Sequence, residues 1–97
     1  MRHEIILAPE AVEDLRRLKA NVRTVVKDAI REHLRHEPRK VSRSRIKRLR
    51  GLDQPQFRLR VDDIRVFYDV IEGQVEVLAI VAKADAVAWL ARVGKRK

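Results

Sequence analysis

The chain contains no cysteine, which excludes a disulfide framework and any thiolate metal site. Aromatic residues make up only 4% of it, and none falls within the basic stretch from Arg39 to Arg50. A membrane-surface segment would interleave aromatics with its cations or form a clear amphipathic helix, so an anionic bilayer is a poor match for that stretch. No apolar run approaches the length of a spanning helix. Ile5-Ile6-Leu7 near the start is too short for the apolar core of a signal peptide. These absences predict a cytoplasmic protein with no membrane partner.

Acidic residues are the other deficit. Lys and Arg number 23 against 14 Asp and Glu, a formal charge of +9 on 97 residues. So small a surface with that charge calls for a polyanionic partner. Between Arg39 and Arg50 the cations Arg39, Lys40, Arg43, Arg45, Lys47, Arg48 and Arg50 follow one another with no carboxylate to offset them. The length allows one domain, residues 1–97, and the apolar fraction of 45% is enough for a globular core. Lys95-Arg96-Lys97 reads as a frayed tail.

The three prolines and three glycines serve mainly as punctuation. His3 to Ala8 reads as a first strand, buried on both faces at Ile5-Ile6-Leu7. Pro9 suits the first position of a helix, where its missing N–H is not needed. Glu10, Glu13 and Asp14 match the positive helix end, and Ala11, Leu15 and Leu18 supply an inner stripe. Asn21 is a cap for a second helix that runs to about His36 and stops at Pro38. Val22, Val26, Ala29, Ile30 and His33 or Leu34 mark its inner face. So short a connection predicts an antiparallel helical hairpin.

Ile46 to Leu49 reads as a short strand or the end of an irregular basic segment, and Gly51 to Pro55 as a turn. Three strands follow: Gln56–Val61, Ile64–Ile71 and Gln74–Ala82. Asp62-Asp63 and Glu72-Gly73 are short enough to make antiparallel hairpins. The last strand is too uniformly apolar for a one-sided sheet, which predicts a central position. Asp85 is a cap for a final helix with Ala86, Trp89, Leu90 and Val93 inward, stopped by Gly94. The expected class is α+β: a small antiparallel-rich sheet packed on an N-terminal helical hairpin, with a short C-terminal helix.

Phe57-Arg58-Leu59-Arg60-Val61 alternates with period two, the mark of a half-buried strand. Phe57, Leu59 and Val61 face a core, and Arg58 and Arg60 stand together on the other face. They are either the solvent side of an exposed strand or guanidinium groups fixed to hold phosphate. Arg65 opens the next strand among apolar residues. Arg23, Lys27, Arg31 and Arg35 recur every four residues, either as a solvated face or as a docking stripe. Trp89 reads as core, Tyr68 as a packed strand aromatic and Asp62-Asp63 as turn chemistry. His3, His33 and His36 lack a metal-ligand spacing.

The blocks Leu49-Arg50-Gly51-Leu52, Phe57 to Val61 and Ile64 to Val70 resemble the RelE/ParE toxins of bacterial type II toxin–antitoxin systems. Leu7-Ala8-Pro9-Glu10-Ala11 and Val77-Leu78-Ala79-Ile80-Val81 fit the same pattern, in order, over nearly the whole chain. The resemblance implies one fold with two targets. RelE-like members cut messenger RNA in the ribosomal decoding site, and ParE-like members poison DNA gyrase.

For a RelE-like reading, the resemblance assigns the catalytic cations to Arg58, Arg60 and Arg65, with Lys83 in support, and no metal or other cofactor. Attack by a ribose 2′-hydroxyl concentrates negative charge on phosphate, which preorganised guanidinium groups stabilise. RNA docking falls to Arg23, Lys27, Arg31, Arg35, Lys47, Arg48 and Arg50. The implied partners are an acidic antitoxin, the ribosome and mRNA, with gyrase as the alternative. A non-catalytic nucleic-acid-binding module is a third reading. RelE-like nucleases commonly carry an arginine after the last strand and a tyrosine in the C-terminal segment. Here Lys83-Ala84 and Trp89 stand at those places, so the proton-transfer groups are left open.

Overall fold

The computed structural model describes residues 2–96. The order is β1 (Glu4–Leu7), α1 (Pro9–Arg17), α2 (Ala20–Leu34), β2 (Ile46–Arg48), β3 (Leu52–Gln54), β4 (Phe57–Val61), β5 (Ile64–Ile71), β6 (Gln74–Ala82), α3 (Lys83–Val93) and β7 (Lys95–Arg96). A five-stranded sheet runs β1-β6-β5-β4-β2, with β1 parallel to β6 and the remaining pairs antiparallel. The α+β class, the N-terminal hairpin of helices and the short C-terminal helix are those expected.

The helical hairpin covers one face. Ala11 of α1 and Val26, Ile30 and Leu34 of α2 meet Phe57, Leu59 and Val61 of β4, Val66, Tyr68 and Val70 of β5, and Val75, Val77 and Ile80 of β6. On the opposite face α3 lays Trp89 flat on Phe67, ring centroids 4.9 Å apart and 8° from parallel, over Ala79. Such a stack adds about 0.5–1.5 kcal/mol beyond the burial itself. A side chain placed this way is core, as expected for Trp89. Asp14 ties α1 to the sheet by accepting the Ile80 N–H at 2.9 Å.

β5 holds the middle of the sheet and β6 lies beside it, one place from the predicted centre. The unbroken apolar run of β6 has a cause the sequence conceals. The register slips between Phe67 and Tyr68, which pair with Ala79 and Val77, and leaves Leu78 as an extra residue. A bulge of this kind reverses which face later side chains take. Val75 and Val77 therefore join the hairpin core before it and Ile80 after it, while Leu78, Ala79 and Val81 pack with Trp89.

The turns follow their residues. Asp62 adopts φ 52°, a left-handed conformation that Asp tolerates, and Gly73 adopts φ 73°. At Gly94 the requirement is space, since a Cβ there would meet the Leu90 carbonyl oxygen at 2.5 Å. Helix starts differ from expectation. Lys19 and Ala82 occupy the capping positions, neither with a side-chain cap bond, so Asn21 and Asp85 lie inside α2 and α3. β1 is an outer strand, half-buried at Ile5, Ile6 and Leu7 rather than enclosed on both faces. Lys95 and Arg96, read as frayed tail, pair with Leu52–Gln54 instead, and Lys97 lies outside the described residues. No helix among the described residues is long and apolar enough to cross a membrane.

Candidate nucleic-acid interface

Residues directly opposite in an antiparallel pair share a face. Arg58 faces Lys47 on one side and Phe67 on the other, and Arg60 faces Arg65. Lys47, Arg58, Arg60 and Arg65 therefore lie on one face, opposite the helical hairpin, beside the Phe67–Trp89 stack. Phe57, Leu59 and Val61 are buried on the other face, as the alternation requires.

The three arginines differ in exposure. Arg60 is exposed, Arg58 is half-buried and Arg65 is only 7% exposed. Arg65 Nη1 donates to the carbonyls of Asp62 at 2.8 Å and Ile64 at 3.1 Å, which holds the β4–β5 turn. Arg58 Nε is buried without a hydrogen-bond partner. The Arg58 guanidinium has its pKa lowered by burial first, then by the positive charges of Arg65 and Arg60. Among the described residues, none of these arginines forms an ion pair with a carboxylate. Like charges gathered without counter-charges stabilise an incoming anion more than they stabilise the free protein.

Lys83 stands at the end of this region. Its backbone N–H donates to the Asp63 carbonyl at 2.7 Å, so the start of α3 is fastened to the turn that Arg65 also holds. Its side chain is exposed. The other candidates disperse. Arg48 takes the hairpin side of β2 and lies over the Phe57 ring at 5.1 Å. Arg50 lines an open cavity of about 400 Å³ with Gly51, Leu90 and Arg96, a place for Arg96 that a frayed tail would not provide. On α2, Arg23 donates to the carbonyls of Leu15, Arg16 and Leu18 at 3.2, 3.2 and 2.9 Å and thereby clasps the α1–α2 connection. Lys27, Arg31 and Arg35 line a separate groove with Ile5 and Leu7.

Proton-transfer groups are sparse at the arginine face. The Tyr68 hydroxyl is buried on the hairpin side, donates to the Pro38 carbonyl at 2.7 Å, and has its pKa raised by burial. Trp89 Nε1 donates to Glu10 at 3.3 Å. His33 and His36 line a cavity with Glu32 and Arg45 elsewhere. Among the described residues no three His, Asp or Glu groups are placed to hold a metal ion.

Sequence reasoning missed Asp69. It is 5% exposed and accepts the Gln54 side-chain N–H at 2.7 Å and the Gln56 backbone N–H at 2.8 Å. Gln56 in turn accepts the Val70 N–H at 2.9 Å. This clasp fixes the entry into β4, and hence the strand that carries Arg58 and Arg60. An Asp inside an apolar strand was the available signal, because a buried carboxylate needs partners.

The family model for the ParE toxin of type II toxin–antitoxin system parDE matches residues 5–87. A comparison with curated protein sequences gives no match. Among solved structures, a mutant of the E. coli toxin RelE in the free state superposes with TM-score 0.69 at 24% identity, covering 96% of this chain and 99% of that one. The toxin in the archaeal RelE–RelB complex from Pyrococcus horikoshii gives TM-score 0.69 at 21% identity, with 86% and 97% covered. The RelBE2 toxin–antitoxin complex from Mycobacterium tuberculosis gives 0.67 at 21%, with 84% and 99% covered. These likenesses show the fold. With the family model spanning most of its length, the chain belongs to the RelE/ParE family of type II toxin–antitoxin toxins.

Proposed function

We propose that this toxin is RelE-like and acts on messenger RNA at the ribosome, with the face bearing Lys47, Arg58, Arg60 and Arg65 set against a scissile phosphate. The observation that carries the reading is the like-charged cluster on β4 and β5, held without a carboxylate partner, with Arg58 partly desolvated. In the reaction, the ribose 2′-oxygen forms a bond to phosphorus as the bond to the 5′-oxygen breaks. The products are a cyclic phosphate and a free 5′-hydroxyl. Negative charge grows on the phosphate oxygens as this happens, and Arg58 and Arg60 stabilise that charge. Arg65 keeps the turn and Arg60 in place. One proton leaves the 2′-hydroxyl and another reaches the 5′-oxygen. Arginine is a poor shuttle because it stays protonated, so those transfers fall to Lys47, Lys83 or groups of the ribosomal complex.

The natural partner is an acidic antitoxin that covers cationic surface. Four solved toxins of this fold occur in complexes with RelB antitoxins or as RelBE pairs, which supports that partner.

The ParE-like reading, inhibition of gyrase without catalysis, is favoured by one observation. Among the described residues, no imidazole or reachable phenol faces the arginine cluster. Two assays separate the readings: primer extension on mRNA in a purified translation system, and supercoiling by purified gyrase. The mRNA reading expects discrete cuts within translated codons and unimpaired supercoiling. Inhibited supercoiling with intact mRNA overturns it.

A further inference from the structure

The last turn of the chain brings two arginines outside the β4–β5 cluster to one cavity. α3 closes at Gly94, whose N–H donates to the Leu90 carbonyl at 2.8 Å. The chain then folds back, and β7 pairs with β3 so that Arg96 stands opposite Leu52. Paired residues share a face, so Arg96 lies beside Leu52 over the cavity of about 400 Å³ that Arg50, Gly51 and Leu90 also line. Gly51, at φ 77°, turns the chain between Arg50 and Leu52 and leaves that wall without a side chain.

The composition of the cavity is selective. Leu52 and Leu90, both half-buried, make an apolar floor, and the exposed Arg50 and Arg96 stand above it. Among the described residues no carboxylate lines it, and neither arginine enters an ion pair. A bare anion would use the arginines and not the floor. A second copy of the chain would set arginine against arginine, on a molecule already at +9. A carboxylate side chain of a protein partner would meet one guanidinium on a short stem and leave the floor empty. A nucleotide supplies both halves: a flat base for the leucines, and phosphate oxygens for two guanidinium forks.

The cavity also lies on the side of the sheet that carries the arginine face. Leu49 and Leu90 both pack on the Phe67–Trp89 stack, and Phe67 is the residue opposite Arg58. Arg50 follows Lys47 by three residues, a span of at most ~11 Å, so one RNA strand can touch both. We propose that this cavity is a subsite for a nucleotide flanking the cut, its base on Leu52 and Leu90 and its phosphate between Arg50 and Arg96. The proposal rests on the mRNA reading and deepens it. Phosphate contacts position a strand without reading it, whereas contact with a base discriminates. The subsite thus gives the toxin a sequence preference that the arginine face alone does not supply.

The test uses the full chain, with Arg50→Gln and Arg96→Gln combined and Arg92→Gln on α3 as the control. The binding probe is a short RNA methylated at every 2′-oxygen, so that no hydroxyl can attack, titrated over a series of salt concentrations. The double variant is expected to bind about tenfold or more weakly, with a salt slope smaller by ~0.7 for one lost phosphate contact on a single strand. Its melting temperature should not change, since both side chains are exposed. With the probe's bases removed one position at a time, wild-type binding should weaken several-fold at one position. That sensitivity should vanish in Ala91→Leu, which fills the cavity without changing charge. In a purified translation system the double variant should cut mRNA more slowly, and Arg92→Gln at the wild-type rate.

Full RNA affinity and wild-type cutting in the double variant overturn the subsite and leave the β4–β5 reading standing. Weakened RNA binding that responds equally to loss of any base marks an anion site only and overturns the nucleotide assignment. A double variant that keeps its RNA affinity but no longer binds the acidic protein encoded beside it assigns the cavity to a protein contact instead. No cuts from the wild type remove the mRNA reading, and the subsite with it.

Discussion

Arg60 and Arg65 stand directly opposite one another on β4 and β5. Like charges in that arrangement destabilise an antiparallel pair, and Arg58 on the same face adds to the repulsion. The sheet tolerates this because Arg65 is tied to the turn carbonyls of Asp62 and Ile64. The fold thus carries its cations at a cost in stability, and an anion relieves it.

Arg58 and Arg65 should part company on mutation. Arg58→Ala removes a half-buried cation with an unpartnered Nε, so thermal stability should hold or rise while activity falls. Arg65→Ala leaves two turn carbonyls without their donor and should cost ~1–3 kcal/mol as well as activity. Thermal melts and cleavage assays on the two purified variants distinguish these patterns. Equal destabilisation by both would show that Arg58 is also a structural residue.

Asp69 should behave as a purely structural carboxylate. Asp69→Ala strands the N–H groups of Gln54 and Gln56, at a cost of ~1–3 kcal/mol for the buried donors. Activity per folded molecule should change little at a temperature where the variant is fully folded. Denaturant titration beside the activity assay checks both halves.

Tyr68 predicts an alkaline limit to stability. Its pKa is raised by burial, so the folded state keeps the phenol neutral while the unfolded chain ionises above pH ~10. Its contribution is complete below that pH and is lost as pH rises toward the folded value. Tyr68→Phe should flatten the alkaline loss, at a cost of ~0.5–1.5 kcal/mol at neutral pH for the bond to Pro38. Chemical denaturation at a series of pH values from neutral to strongly alkaline follows the difference.

Much of this architecture is legible in the residues. Alternation from Phe57 to Val61 correctly separates the core face from the arginine face, and the stripes of α1 and α2 mark the sides that pack. What escapes is set by distant partners. Asn21 and Asp85 look like caps, yet Lys19 and Ala82 hold those positions without side-chain bonds; packing on the sheet, rather than local chemistry, sets where the helices begin. The bulge at Leu78 depends on pairing with Phe67 and Tyr68, and Asp69 depends on residues more than a dozen positions earlier. Arg65 reads as a site residue from its place at the opening of an apolar strand and from the family resemblance. Only the folded chain shows that its guanidinium is committed to the turn. The α2 stripe reads as one surface, although Arg23 is spent on α1.

The most direct measurement is primer extension on mRNA in a purified translation system with wild-type toxin and Arg60→Ala. Arg60 is exposed and, unlike Arg65, its side chain holds no turn carbonyl, so the substitution should leave the melting temperature unchanged or raise it slightly by relieving the repulsion with Arg65. The expected result is discrete cuts by the wild type and a ~100- to 1,000-fold slower rate in the variant, the scale for loss of one preorganised charge-stabilising donor. Wild-type rates in Arg60→Ala, or no cuts from the wild type, would contradict a phosphate site on the β4–β5 face.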